Sequence, residues 1–222
     1  MKKSLIICSM FSALLLASCG GSGKEENKGS ACKTGNGIEI SCEDGEAYKK
    51  LTDLTGKFEL TFPENKEGYN KFIEVNEPIL KEIEPLWASI ENIMKADPKL
   101  MKQQPYSKTM DYRAKVEMYK SVLSDLDKIS VTGAQEGGKF IISIKNGASK
   151  DVKEFRGHLQ YLDAAGSVVC ENDYELSAST LELENGIPAG FEGKTEKGIY
   201  CKNTGKVKSV KFEIQGLDYF EK

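Results

Sequence analysis

Apolar residues keep a helical spacing through the first part of this chain and switch to strict alternation from Gly133 onward. No single kind of element satisfies both periods, so the switch predicts helices followed by strands, an α+β chain. In the helical stretch, Tyr112, Val116, Tyr119, Leu123 and Leu126 recur at steps of four, three, four and three, one stripe of an amphipathic helix. Phe72, Ile79, Ile83, Leu86, Ile90 and Ile93 fall near the same spacing, with Pro78 and Pro85 expected to start or kink a helix. Such stripes are usually core. They predict a helical region over 46–128 arranged as a helical hairpin, broken at Ala96-Asp97-Pro98.

Beyond Gly133, Phe140, Ile142 and Ile144 alternate with Ile141, Ser143 and Lys145, and Phe155, Gly157, Leu159 and Tyr161 alternate with Arg156, His158, Gln160 and Leu162. Asn146-Gly147 and Ala165-Gly166 punctuate the strands, and Val207, Val210, Phe212, Ile214 and Leu217 form a closing strand with one register irregularity. Several short strands without intervening helical signals predict an antiparallel, immunoglobulin-like β-sandwich over 129–222. The change of period falls in a Gly-rich connector and predicts a domain that folds independently from about residue 129.

The start of the chain has a different character. Lys2 and Lys3 precede an apolar run, Leu5 to Leu16, too short to span a bilayer but suited to an export signal, and the polar stretch from Gly20 to Ser30 has the composition of a tether. The expected divisions are a signal over 1–18, a flexible tether over 19–31 and a small hairpin over 32–45, ahead of the helical region and the sandwich. With residues 1–18 removed, 29 basic side chains face 34 acidic ones, a net charge of about −5 that argues against nucleic acid or anionic lipid as the main partner.

Six cysteines become four once Cys8 leaves with the signal and Cys19 is set aside as a lipid acceptor. Outside the cytoplasm an even number reads as two disulfides, with three possible pairings. The tight-turn dipeptide Asn36-Gly37 lies between Cys32 and Cys42, which predicts a stapled hairpin there. By elimination Cys170 pairs with Cys201. No Cys-x-x-Cys is present to favour a four-cysteine metal site.

Leu16-Ala17-Ser18-Cys19 resembles the lipobox of bacterial lipoproteins. The resemblance implies that Cys19 carries a diacylglyceryl thioether and an acylated amine, a durable anchor at about 0.8 kcal/mol per buried methylene. In that class an Asp after the cysteine favours the inner membrane of diderm cells. Gly20 stands there, so the outer membrane is expected if the host is Gram-negative. Phe140-Ile-Ile-Ser-Ile-Lys-Asn-Gly, followed by Lys150-Asp-Val-Lys-Glu-Phe-Arg-Gly-His-Leu-Gln-Tyr-Leu-Asp163, resembles the opening of small sandwich domains that end many uncharacterised bacterial envelope lipoproteins. That likeness covers about residues 129–219 and concerns fold. Cys170 and Cys201 depart from its pattern.

Signals of chemistry are sparse. Gly133 to Gly138-Lys139 has the spacing of a phosphate loop, but Phe140 replaces the magnesium-binding Ser or Thr, and the segment leads from helix into strand. His158 is the only histidine and lies on the polar side of its strand, so no triad or histidine metal centre is expected. Glu171, Asp173 and Glu175 lack calcium-loop spacing, and Met94, Met101, Met110 and Met118 are expected to be core filler. The expectation is a non-catalytic envelope lipoprotein, without metal or cofactor, that binds a protein or glycan. The alternative is a carboxylate-dependent enzyme acting on cell-envelope glycans, with Glu154, Glu171, Asp173 and Glu192 as its candidate acids.

Overall fold

A computed structural model describes residues 31–136, 139–196, 201 and 204–220. The export signal, Cys19 and the tether lie outside the described residues. The chain is a mixture of helices and antiparallel sheets that divides into two compact units, 1–58 with 78–112, and 59–77 with 113–222. The division falls inside two helices rather than at the Gly-rich connector near residue 133.

The first unit begins with a hairpin, β1 (Ala31–Lys33) and β2 (Glu39–Ser41), in which Cys32 stands opposite Ile40. Gly37 takes φ +80, as the turn requires, and Thr34 Oγ1 accepts the Asn36 and Ile38 backbone N–H groups. The hairpin expected over 32–45 ends sooner than that, at Ser41. Helix α1 (Cys42–Thr55) starts at Cys42, because Ser41 Oγ accepts the Asp44 N–H and caps the helix. Tyr48, Leu51 and Leu54 on α1 are buried.

Helix α2 spans Lys66–Ile83 with Pro78 inside it, a short 3-10 turn carries Pro85, and α3 follows at Trp87–Ala96. Asp97 and Pro98 end α3 as expected, and α4 runs over Tyr106–Leu126. Among the described residues, four α-helices therefore replace the single helical hairpin expected from the sequence. The stripe on α4 is buried or half-buried throughout. Of the four methionines expected as filler, Met94 is buried, whereas Met101, Met110 and Met118 are exposed. Met110 stands two positions before Tyr112 and Met118 two positions after Val116, each about 200° around the helix from that stripe residue. None of the described helices is long and apolar enough to cross a membrane.

The second unit holds a six-stranded antiparallel sheet of β3 (Ile129–Glu136), β4 (Lys139–Asn146), β5 (Val152–Leu162), β6 (Val168–Ser177), β7 (Glu192–Glu196) and β8 (Ser209–Tyr219). The order across it is β6-β5-β8-β3-β4-β7. Gly133, expected in a connector, lies within β3, where a Cβ would come within 2.5 Å of Val210 Cγ2 and 2.9 Å of Phe140 Cε1. The register irregularity of the closing strand is a bulge: Arg156 pairs with Gly216 but Gly157 pairs with Ile214, so Gln215 is the extra residue. Val210 and Phe212 before it and Leu217 after it are thereby all buried. Tyr69, Val122 and Leu126 from the helices share one core with Ile144, Phe155, Leu159, Tyr161 and Leu176 from the strands.

Cys32 is bonded to Cys42 with Cα atoms 5.0 Å apart, and Cys170 to Cys201 at 6.2 Å. Gly45 of α1 packs against the first pair, with the site of its absent Cβ 3.4 Å from Cys32 Cβ.

Candidate functional site

The face of β5 turned away from the core carries Glu154, Arg156, His158 and Gln160, spaced two apart as alternation requires. On one side β6 sets Glu175 opposite Arg156, Asp173 opposite His158 and Glu171 opposite Gln160. On the other side β8 sets Asp218 opposite Glu154 and Glu213 opposite His158. His158 Nδ1 lies 2.5 Å from Asp173 Oδ1, and Gln160 Nε2 donates to Glu171 Oε2 at 3.5 Å. The result is a cross-strand ladder of polar pairs, rich in acid, near the β6 edge of the sheet.

Its inner end differs from the rest. The Glu154 side chain is only 14 % exposed and hydrogen-bonds with both Glu175 and Asp218. Arg156 is the cation among them, with Nη2 donating to Asp218 Oδ1 at 2.8 Å and Nε 3.8 Å from Glu154 Oε1. Buried Tyr69 of α2 closes the group, and the site of a Gly216 Cβ lies 2.8 Å from its hydroxyl. Burial first, then the hydrogen bonds and negative charges of Glu175 and Asp218, push the Glu154 carboxyl up to about 7. Burial also raises the Tyr69 hydroxyl, against a lowering by Arg156.

Two further carboxyls and one guanidinium thus surround the raised Glu154 carboxyl. Among the described residues no group of three or more His, Cys, Asp and Glu is placed to hold a metal ion. Of the four candidate acids, only Glu154 stands in this perturbed setting. Glu171 and Asp173 are exposed on β6, and Glu192 is paired with Lys145 at 2.6 Å across β4 and β7, which lowers its carboxyl. Sequence reasoning missed Tyr69 and Asp218, and it named Glu175 only in rejecting a calcium loop. Asp218 lies 64 positions from Glu154, and the bulge at Gln215 decides their register.

A second polar cluster fastens the end of α4. Asp125 is buried, and its Oδ2 accepts the Ser149 N–H at 3.0 Å, the Ser149 hydroxyl at 2.7 Å and the Tyr219 hydroxyl at 2.9 Å. Lys128 Nζ donates to Oδ1 at 2.8 Å. Burial alone would raise this carboxyl, but the donors from Lys128, Ser149 and Tyr219 outweigh it and hold it at about 2. The Tyr219 hydroxyl is pushed up to about 12, by burial first and by Asp125, against a lowering from Ser121. Every donor here is satisfied, so the cluster fixes the fold. Buried Asn146 does the same for the segment before β7, donating to the Ile187 and Pro188 carbonyls at 2.8 and 3.0 Å.

No family model, curated protein or solved structure matches this chain.

Proposed function

We propose that this chain is a lipoprotein of the bacterial cell envelope, anchored through Cys19, whose folded body is a non-catalytic module that binds a protein or glycan. The observation that carries the reading is Leu16-Ala17-Ser18-Cys19 at the end of an apolar export run, followed by a polar tether. The two cysteine pairs support an oxidising compartment. Gly20 favours the outer membrane in a diderm host, and the acidic balance favours a partner other than nucleic acid.

We read the sheet as an immunoglobulin-like sandwich folded about β8. Strand β3 bonds to β8 only over Thr132–Ala134, whereas β5 follows β8 along its length, so the sheet has room to turn over beyond Val210. The single core drawing on both halves supports this reading. The glycan-cleaving alternative needs two carboxyls roughly 5 to 10 Å apart across the scissile bond. Glu154 instead stands beside the Arg156 guanidinium, with Glu175 and Asp218 as its acidic neighbours, an arrangement that leaves the binding module as the better reading.

Labelling cells with a radioactive fatty acid tests the anchor. The wild-type chain should carry label and sediment with membranes, and Cys19→Ala should do neither. Equal label in both would overturn the assignment.

A further inference from the structure

We propose that Leu60 and Phe62 form an apolar tip that dips into the headgroup layer of the bilayer to which the chain is tethered. The proposal rests on the Cys19 anchor argued above. Phe62 is 80 % exposed and Leu60 58 %, the two most exposed large apolar residues among the described residues.

They sit on a segment without regular secondary structure that is held at both ends. Buried Asn76 of α2 clamps the Glu59 backbone, its Oδ1 accepting the Glu59 N–H at 3.0 Å and its Nδ2 donating to the Glu59 carbonyl at 3.2 Å. On the far side Asn65 Oδ1 accepts the Gly68 N–H at 2.9 Å at the start of α2, and Pro63 packs where a Gly68 Cβ would lie 3.1 Å away. The apolar pair is thus displayed by a fixed backbone, and ordering it on a surface costs little entropy.

The tether argues for a bilayer as the occupant. Twelve residues, Cys19 to Ser30, separate the lipid-bearing position from the first described residue. Even fully stretched they reach only about 40 Å, so a lipid surface is always within reach of the body. Lys57, Lys66 and Lys71 balance Glu59, Glu64 and Glu67 around the tip, which points to an apolar contact rather than electrostatic adsorption. Two such side chains favour an apolar surface by roughly a hundredfold or more, enough to orient a tethered body.

The test uses the chain from residue 19 onward, oxidised so that its other four cysteines are paired. It is coupled through the Cys19 thiol to a maleimide phospholipid in vesicles of phosphatidylethanolamine and phosphatidylglycerol. Chemical coupling supplies the tether whether or not cells lipidate Cys19, so failure here is distinct from failure of the anchor reading. With Trp87→Phe as background, Phe62→Trp should give a blue-shifted emission that brominated acyl chains quench, unchanged by added salt. Glu171→Trp in the same background should show neither effect. Equal quenching at the two positions, or none at position 62, would overturn the proposal. So would a blue shift that grows with protein concentration without vesicles, which would assign the tip to a second copy of the chain. Hydrogen exchange of the unaltered chain supplies a second readout: the Leu60, Thr61 and Phe62 amides should slow on vesicles, and unchanged rates would overturn the proposal as well.

Discussion

The Tyr219 hydroxyl donates to the buried Asp125 carboxylate at 2.9 Å and lies 3.0 Å from Ser121 Oγ, joining the last strand to the last helix of its unit. Asp125 also holds Ser149, so one carboxylate fixes three segments distant in sequence. Tyr219→Phe keeps the ring and removes the donor, and should lower stability by about 1 to 2 kcal/mol, whereas Asp125→Ala strands several buried donors and should cost about 3 kcal/mol or more. Because the Asp125 carboxyl is depressed to about 2, its stabilisation is complete above the ordinary carboxylate range near 4 and disappears as pH falls through 2. Urea unfolding of the two variants at neutral and acid pH measures both effects.

Glu154 shifts in the opposite direction and carries the opposite sign. A carboxyl raised to about 7 in the fold contributes stability that is fully present below its unfolded value near 4.5 and is lost as pH rises through 7. Burial sets it first, followed by Glu175 on β6 and Asp218 on β8, while Arg156 on β5 has its Nε 3.8 Å from Glu154 Oε1. Glu154→Gln mimics the protonated carboxyl at every pH, so it should remove most of this decline and stabilise the protein at about pH 8 by roughly 1 to 2 kcal/mol. Thermal melts of both proteins between about pH 5 and 8 decide it, and parallel curves would show that Glu154 carries no proton near neutrality.

The parts legible in the sequence were those that a local period encodes. The α4 stripe from Tyr112 to Leu126 and the alternation of Phe140, Ile142 and Ile144 each specify an element and its buried face. The first turn of α1 was missed because residues 42–45 read as the end of the hairpin, although Ser41 followed by Asp44 three positions later is a capping signal. The Glu154 cluster was hidden for another reason. Its members come from α2, β5, β6 and β8, and a bulge of one residue at Gln215 decides which β8 side chains reach it.

The same long-range packing bears on how far the strands can stand alone. Tyr69, Val122 and Leu126 fill the core that Ile129, Ile144 and Phe155 line, and Asp125 holds Ser149 in the turn before β5. A fragment of residues 129–222 lacks all of them. It should retain β-type circular dichroism but bind a hydrophobic dye and melt well below the full chain, through loss of buried apolar surface. A fragment from residue 113 onward regains α4's contribution and should recover part of the difference. Equal melting of the shorter fragment and the full chain would place the whole core within the strands.

The two disulfides should differ in consequence because they close loops of different length in different units. Cys32 and Cys42 are 10 positions apart and staple a hairpin onto α1, while Cys170 and Cys201 are 31 apart and tie edge strand β6 to the segment before β8. Restricting the unfolded chain is worth more for the longer loop, roughly 3 to 4 kcal/mol on the chain-entropy account. Replacing Cys170 and Cys201 together by Ala should therefore destabilise the second unit by about 2 to 5 kcal/mol. Replacing Cys32 and Cys42 should leave that unit almost unchanged, because both lie in the first. Hydrogen exchange resolved by segment separates the units: amides of β5 and β8 should lose protection in the first variant and keep it in the second. Loss of protection in β5 and β8 on removing Cys32 and Cys42 would show that the two units unfold together, and that the hairpin staple stabilises the sheet from outside its own unit.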